Sequence, residues 1–195
     1  MLEAKNITIA VGERVLAENL SFIANDGELT CITGAAASGK TTLLRTLMGF
    51  LPVKSGFVSV DGELLTIYSS HAFREMMVYL PQDVQTLGLQ LEEPEATQVE
   101  ADDYAVWNEV LPGVEIAQPR APLTTDEILL LATKTLEESA DKPIVIADEP
   151  TALLSSEQGY QLMQLLQQQA EQGKTVVIAS SDPMVLERAN QIIKI

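Results

Sequence analysis

The chain has 195 residues, 46% of them hydrophobic and 21% charged, with a formal net charge of −16 and a mean hydropathy of +0.12. That length suits one domain with a proper core. The negative charge argues against nucleic acid as a partner, because backbone phosphates want Lys and Arg, and against direct adsorption to an anionic membrane; no apolar run reaches the ~20 residues a bilayer span requires.

The first residues, Met1-Leu2-Glu3-Ala4-Lys5-Asn6, lack the basic and apolar regions of a signal peptide. Residues 2–10 alternate weakly and predict a strand. A second strand is expected over 19–24, with Asn25-Asp26-Gly27 as the turn. Residues 28–33 are apolar and β-branched, as a buried strand should be. They contain Cys31, the one cysteine, which reads as a small core residue; a single cysteine provides no disulfide framework and fits a reducing compartment.

Next comes Gly34-Ala35-Ala36-Ala37-Ser38-Gly39-Lys40-Thr41, which fits the phosphate-binding pattern G-x-x-x-x-G-K-(S/T). Small residues let the backbone curl so that its N–H groups point inward at phosphate oxygens. Leu43, Leu44, Leu47 and Met48 then recur at helical spacing, so the motif sits between a strand and a helix, whose positive dipole end adds to the cradle. Lys40 reaches β- and γ-phosphates in such a loop, and the Thr41 hydroxyl holds Mg²⁺.

Pro52 and Ser55-Gly56 interrupt the chain, and residues 57–60 and 63–67 around Asp61-Gly62 predict a hairpin. A short apolar strand over 76–80 ends at Pro81-Gln82. Residues 83–122 are rich in Gln, Glu and Pro and show no clean period until 104–111; they predict a small helical insert with loops, Tyr104 and Trp107 forming its miniature core. Eleven Asp and Glu against one base, Arg120, fall between residues 83 and 127. Such a stretch reads as a solvated acidic face or as a docking surface for a basic partner element.

Residues 124–138 predict a helix, capped by Thr124 or Thr125, with Asp126 and Glu127 in its first turn. A buried strand follows over 143–147 and delivers Asp148 at its end, where it can bind Mg²⁺ through water. Glu149 beside it can polarise an attacking water, the task that hydrolysis of a γ-phosphate sets a carboxylate. An amphipathic helix over 156–172, a strand over 175–179, a short helix over 183–188 and a last strand over 191–195 complete the chain. Strands alternating with helices imply an α/β protein with a mostly parallel sheet.

On these motifs, together with Thr42-Leu43-Leu44, Tyr79-Leu80-Pro81-Gln82, Asp148-Glu149-Pro150-Thr151 and residues 175–182, the chain resembles the nucleotide-binding subunits of ATP-binding cassette (ABC) transporters over nearly its whole length. The resemblance implies a P-loop NTPase fold with an antiparallel β subdomain, residues 1–195 forming one ATP-binding domain and 83–135 its helical insert. It implies ATP and Mg²⁺ as ligands, held by residues 34–42, Gln82 and Asp148, with Thr41, Gln82 and Asp148 on the metal and Glu149 as the catalytic base. It also implies a homo- or heterodimer with another ABC subunit and a transmembrane permease contacted through the insert. The chain itself would be cytoplasmic, peripheral to the inner face of the membrane, without inserting into it.

The departures from the family pattern are equally specific. Family members place a signature, LSGGQ, against the γ-phosphate of the facing subunit; the matching stretch here is Leu123-Thr124-Thr125-Asp126-Glu127. Its glycines are gone, and two carboxylates stand at a helix start that should face an anion, a repulsion on the order of 1 kcal/mol in water and more in a closed interface. Ser155 stands where the family has an aspartate, and Ser181 where it has the histidine that senses the γ-phosphate. Val11 or Ala10 falls at the adenine-stacking position, and His71, the sole histidine, reads as a surface residue. These changes predict slow ATPase, or activity only with a partner subunit. A non-hydrolytic regulatory or structural subunit, or a soluble non-transport ABC protein, are the alternatives.

Overall fold

A computed structural model describes residues 1–82 and 123–195. The elements in chain order are β1 (Leu2–Val11), β2 (Arg14–Ala24), β3 (Leu29–Thr33), α1 (Lys40–Leu47), β4 (Ser55–Val60), β5 (Glu63–Leu64), α2 (Ser70–Glu75) and β6 (Met77–Leu80). After residue 122 come α3 (Thr125–Glu138), β7 (Ile144–Asp148), α4 (Ser156–Glu171), β8 (Thr175–Ala179), α5 (Pro183–Arg188) and β9 (Gln191–Lys194).

Two sheets result. One is antiparallel, in the order β2-β1-β4-β5; the other has five parallel strands, β6-β7-β8-β3-β9. Strands covered on both faces read as continuous apolar runs, and the parallel sheet shows why. Ile32, Ile144, Ile146, Val177 and Ala179 pack with Leu43, Leu44 and Leu47 of α1 and with the antiparallel sheet. Their neighbours Cys31, Val145, Ala147, Val176 and Ile178 point the other way, onto Ile128, Ala132 and Leu136 of α3, Leu162, Met163 and Leu166 of α4, and Val185 of α5. Because strand side chains alternate with period two, Asp148 falls on the same face as Ile144 and Ile146, the face covered by α1.

The elements differ from the sequence expectations in three places. β2 begins at Arg14, five residues before the expected strand, because its first residues are partly exposed and lack alternation. Asn6 (φ 47°) and Asn19 (φ 52°) adopt left-handed conformations, and the β1–β2 register shifts along the ladder. The second arm of the expected 57–67 hairpin is only two residues long, β5. The helix α2 was not anticipated: it has six residues and buries only Phe73, too little for a 3.6-residue period to show. The expected miniature core of Tyr104 and Trp107, and most of the acidic stretch, lie outside the described residues. Of the 83–135 segment, residues 125–135 belong to α3, which packs into the core of the parallel sheet.

Leu44 is fully buried between the two sheets. Leu44→Ala is expected to lower the unfolding free energy by about 2–5 kcal/mol, as read by urea denaturation, with the fold retained.

Candidate functional site

In a parallel sheet the strands end on the same side, and ligands bind at that carboxyl edge. Here the edge brings together four chain segments far apart in sequence. Leu80 pairs with Ala147 and Asp148 with Ala179, while Ser180 donates its backbone N–H to Ile32 O at 2.9 Å. Gln82, Asp148-Glu149, Ser180-Ser181 and Gly34 therefore follow one another along one rim.

The loop from Gly34 to Gly39 joins β3 to α1. It turns through Ala37 at φ 60° and Gly39 at φ 107°, left-handed conformations that let successive N–H groups converge. Gly34 is required by space and Gly39 by conformation as well: a Cβ on Gly34 would meet Ile195 O and Ser38 Oγ, and one on Gly39 would meet the Leu16 side chain at 3.0 Å. Gly39 is the N-cap of α1 and offers no side-chain acceptor, so the first N–H groups of the helix have no cap from it.

Lys40 lies back along this loop. It is buried, and its Nζ donates to Gly34 O at 3.1 Å and Ala35 O at 3.4 Å and sits 3.2 Å from Glu149 Oε1. Glu149 itself has φ 43° and donates its N–H to Ala179 O at 2.8 Å. Its second carboxylate oxygen, Oε2, accepts from Ser180 Oγ at 3.1 Å and from the Ser181 N–H at 3.4 Å.

Asp148 is 1% exposed, and its Oδ1 has no hydrogen-bond partner among the described residues. Burial raises its carboxyl above the ordinary value and the Glu149 charge adds to the rise, while the Thr41 hydroxyl, Arg45 and Lys40 oppose it. The Tyr79 hydroxyl beside it is pushed up to about 12, first by burial and then by the Asp148 charge. A buried carboxylate oxygen without a donor, next to a threonine hydroxyl, supplies oxygen ligands of the kind a hard cation such as Mg²⁺ takes. Gln82, the third metal position inferred from sequence, is exposed just past β6.

The segment matching the signature is occupied by its own contacts. Thr124 caps α3 and Glu127 reaches back to it: the Thr124 N–H donates to Glu127 Oε2 at 2.8 Å, and the Glu127 N–H to Thr124 Oγ1 at 3.3 Å. The Thr124 N–H, and then the Thr124 hydroxyl donating to Oε2 at 2.8 Å, hold the Glu127 carboxyl below its ordinary value. Asp126 Oδ1 accepts from Gln158 Nε2 at 2.6 Å, and Gln158 Oε1 in turn closes a second capping box with Ser155 at the start of α4. Ser155 is thus a helix cap. Ser181 meets Glu149 through its backbone only, Val11 is exposed at the tip of the β1–β2 hairpin, and His71 lies exposed 3.6 Å from Glu75.

Sequence reasoning missed Ser180, Arg45 and Tyr79. Ser180 was findable as the first hydroxyl after an apolar strand; Tyr79 stands in the Tyr79-Leu80-Pro81-Gln82 run without a role read from it, and nothing in the spacing marks Arg45. Thr151 Oγ1, which donates to Asp182 Oδ2 at 2.8 Å, ties the loop after Glu149 to the loop after β8.

A family model described as "ABC transporter" matches residues 17–152. Relatives include an ATP-dependent lipid A-core flippase of Burkholderia thailandensis, 30% identical over 90% of this chain and 32% of that protein. A macrolide export ATP-binding/permease protein of Campylobacter jejuni is 28% identical over 100% of this chain and 33% of its own length. A putative ABC transporter ATP-binding protein of Treponema denticola is 31% identical over 91% and 37%. The chain thus spans about a third of the length of these relatives. Among solved structures, a dimeric ATP-binding cassette in a post-hydrolysis state bound to ADP and Pi superimposes with a TM-score of 0.68 at 22% identity, covering 100% of this chain and 94% of that one. A bacterial Atm1-family ABC exporter with ATP bound gives 0.72 at 18% identity, over 100% and 37%. These likenesses show the fold, an α/β P-loop cassette with an antiparallel sheet beside the parallel one.

The raised Asp148 carboxyl has a consequence for stability. Its cost is absent below the unfolded value of 3.8, where the group is neutral in both states, and grows as pH rises through the higher folded value. Asp148→Asn, melted in EDTA at pH 7, is expected to melt above the wild type, and the gain should shrink as pH approaches 4.

Proposed function

The chain belongs to the ABC transporter family as an ATP-binding cassette domain, and on that premise we propose that it binds MgATP at the rim formed by residues 34–42, Gln82 and Asp148 and serves a membrane transporter as its ATP-binding component. The observation that carries this reading is the arrangement around Lys40: a loop whose helix start lacks a side-chain cap from Gly39, an ammonium group aimed along it, and the orphaned Asp148 oxygen behind.

The loop N–H groups and Lys40 take the phosphate oxygens. Thr41, Asp148 and Gln82 would hold Mg²⁺, which when bound neutralises charge on the β- and γ-phosphates. Glu149 is the general base that accepts a proton from the attacking water. The adenine is held loosely, since Val11 and Ala10 offer no aromatic face.

The same reading assigns the chain an unlike partner. A facing subunit with an intact signature completes the site at Lys40, whereas Asp126 and Glu127, engaged by Gln158 and Thr124, leave this chain a poor donor of that half-site. Of the 83–135 segment, the part ahead of α3 is the one assigned to a membrane-spanning permease, which keeps the domain at the inner face of the membrane; no helix among the described residues is long and apolar enough to cross one.

Titration with a fluorescent ATP analogue and Mg²⁺ is the direct test. Lys40→Ala should weaken binding roughly 10–100-fold, the worth of hydrogen bonds from a charged donor. Glu149→Gln should keep binding and lower turnover of the complex purified from its native membrane by about 10²–10⁴-fold. The chain alone should turn over slowly; fast turnover by the purified chain would refute the unlike-partner reading.

A further inference from the structure

We propose that Ser180 is the positioning residue for Glu149, doing with a buried hydroxyl what the exposed Ser181 side chain does not. The inference rests on the reading of Glu149 as general base and deepens it by naming the oxygen that acts.

Ser180 is fully buried at the end of β8, and its backbone is fixed by the N–H donated to Ile32 O at 2.9 Å. Its Oγ accepts the Asp182 N–H at 3.1 Å. A hydroxyl has one proton, and with its acceptor side engaged by that N–H, the proton is directed at Glu149 Oε2, 3.1 Å away. Asp182 is held in turn: Oδ1 caps α5 by accepting the Met184 N–H at 2.9 Å, and Oδ2 accepts from Thr151 at 2.8 Å. The orientation of the hydroxyl therefore depends on two loops locked to each other.

The two oxygens of Glu149 are held by different groups. Lys40 holds Oε1 at 3.2 Å; Ser180 and the Ser181 N–H hold Oε2. When phosphate draws the Lys40 ammonium to itself, Oε1 loses its partner while Oε2 keeps both of its own. Oε1 is then the oxygen with a free lone pair, and it takes the proton of the attacking water; Ser180 keeps the carboxylate from rotating away. The left-handed backbone of Glu149, at φ 43°, narrows the positions its side chain can occupy and makes this anchor matter more.

The test compares Ser180→Ala and Ser180→Thr with the wild-type protein in the intact transporter complex, with melting curves confirming the fold. Ser180→Ala should lower kcat about tenfold with KM unchanged, and Ser180→Thr, which restores the hydroxyl, should recover most of the loss. A crystal structure of the Ser180→Ala chain gives a readout independent of turnover: the Glu149 carboxylate should leave its place between Lys40 and residue 180. A carboxylate that stays where it is, or a full kcat in Ser180→Ala, overturns the proposal. If Glu149→Gln leaves turnover intact, the base assignment fails instead, and the Glu149 position in the Ser180→Ala crystal still decides whether residue 180 holds it.

Discussion

The ion pair between Lys40 and Glu149 is the contact on which the site depends. Two opposite charges 3.2 Å apart, mostly out of water, are stable only when their remaining hydrogen-bonding capacity is met. Here it is met: the ammonium has two backbone carbonyls of its own loop, and the carboxylate has a hydroxyl and an N–H from the loop after β8. The pair therefore fixes the phosphate loop, the end of β7 and the end of β8 against one another. On the proposed function it also prepares the chemistry, because an anion that takes the lysine would release a carboxylate oxygen at the same moment.

That geometry exists because the parallel sheet forces it. The register of β6, β7, β8 and β3 places their carboxyl ends side by side, and a buried sheet has no freedom to slip, since a one-residue shift would turn every apolar side chain to the wrong face. The two cores on either side explain why the central strands β7 and β8 are apolar over most of their length. They also explain why Asp148, the first polar residue of its run, ends up beneath α1 with an oxygen that no described residue satisfies.

At the start of α3 the same physics is put to a different use. A helix N-terminus favours negative charge whether the charge belongs to a ligand or to the helix itself. Glu127 supplies it from within and closes the cap, and Asp126 spends its remaining capacity on Gln158 at the next helix start. Two adjacent helix starts are tied to each other, each with its cap side chain already bonded to a first-turn N–H. The starts of α1 and α3 thus differ in where carboxylates sit: behind the lysine at α1, within the first turn itself at α3.

Much of this was legible in the residues. The phosphate loop, the Asp148-Glu149 pair and every long element announce themselves through glycine spacing, apolar runs and caps, which are local properties. The short helix α2 and the early start of β2 did not, because a six-residue helix and an edge strand carry too little periodicity. Nor could the order of residues reveal that Ser180 holds Glu149, that Gln158 reaches Asp126, or that Arg45 and Tyr79 surround Asp148. Those pairs are separated by 31, 32, 103 and 69 positions along the chain. What the sequence determined by itself was which chemical groups are available and on which kind of element each stands. Only the tertiary structure decided which of them meet, because strand register and helix packing bring distant side chains within hydrogen-bonding reach, and no local pattern encodes that distance.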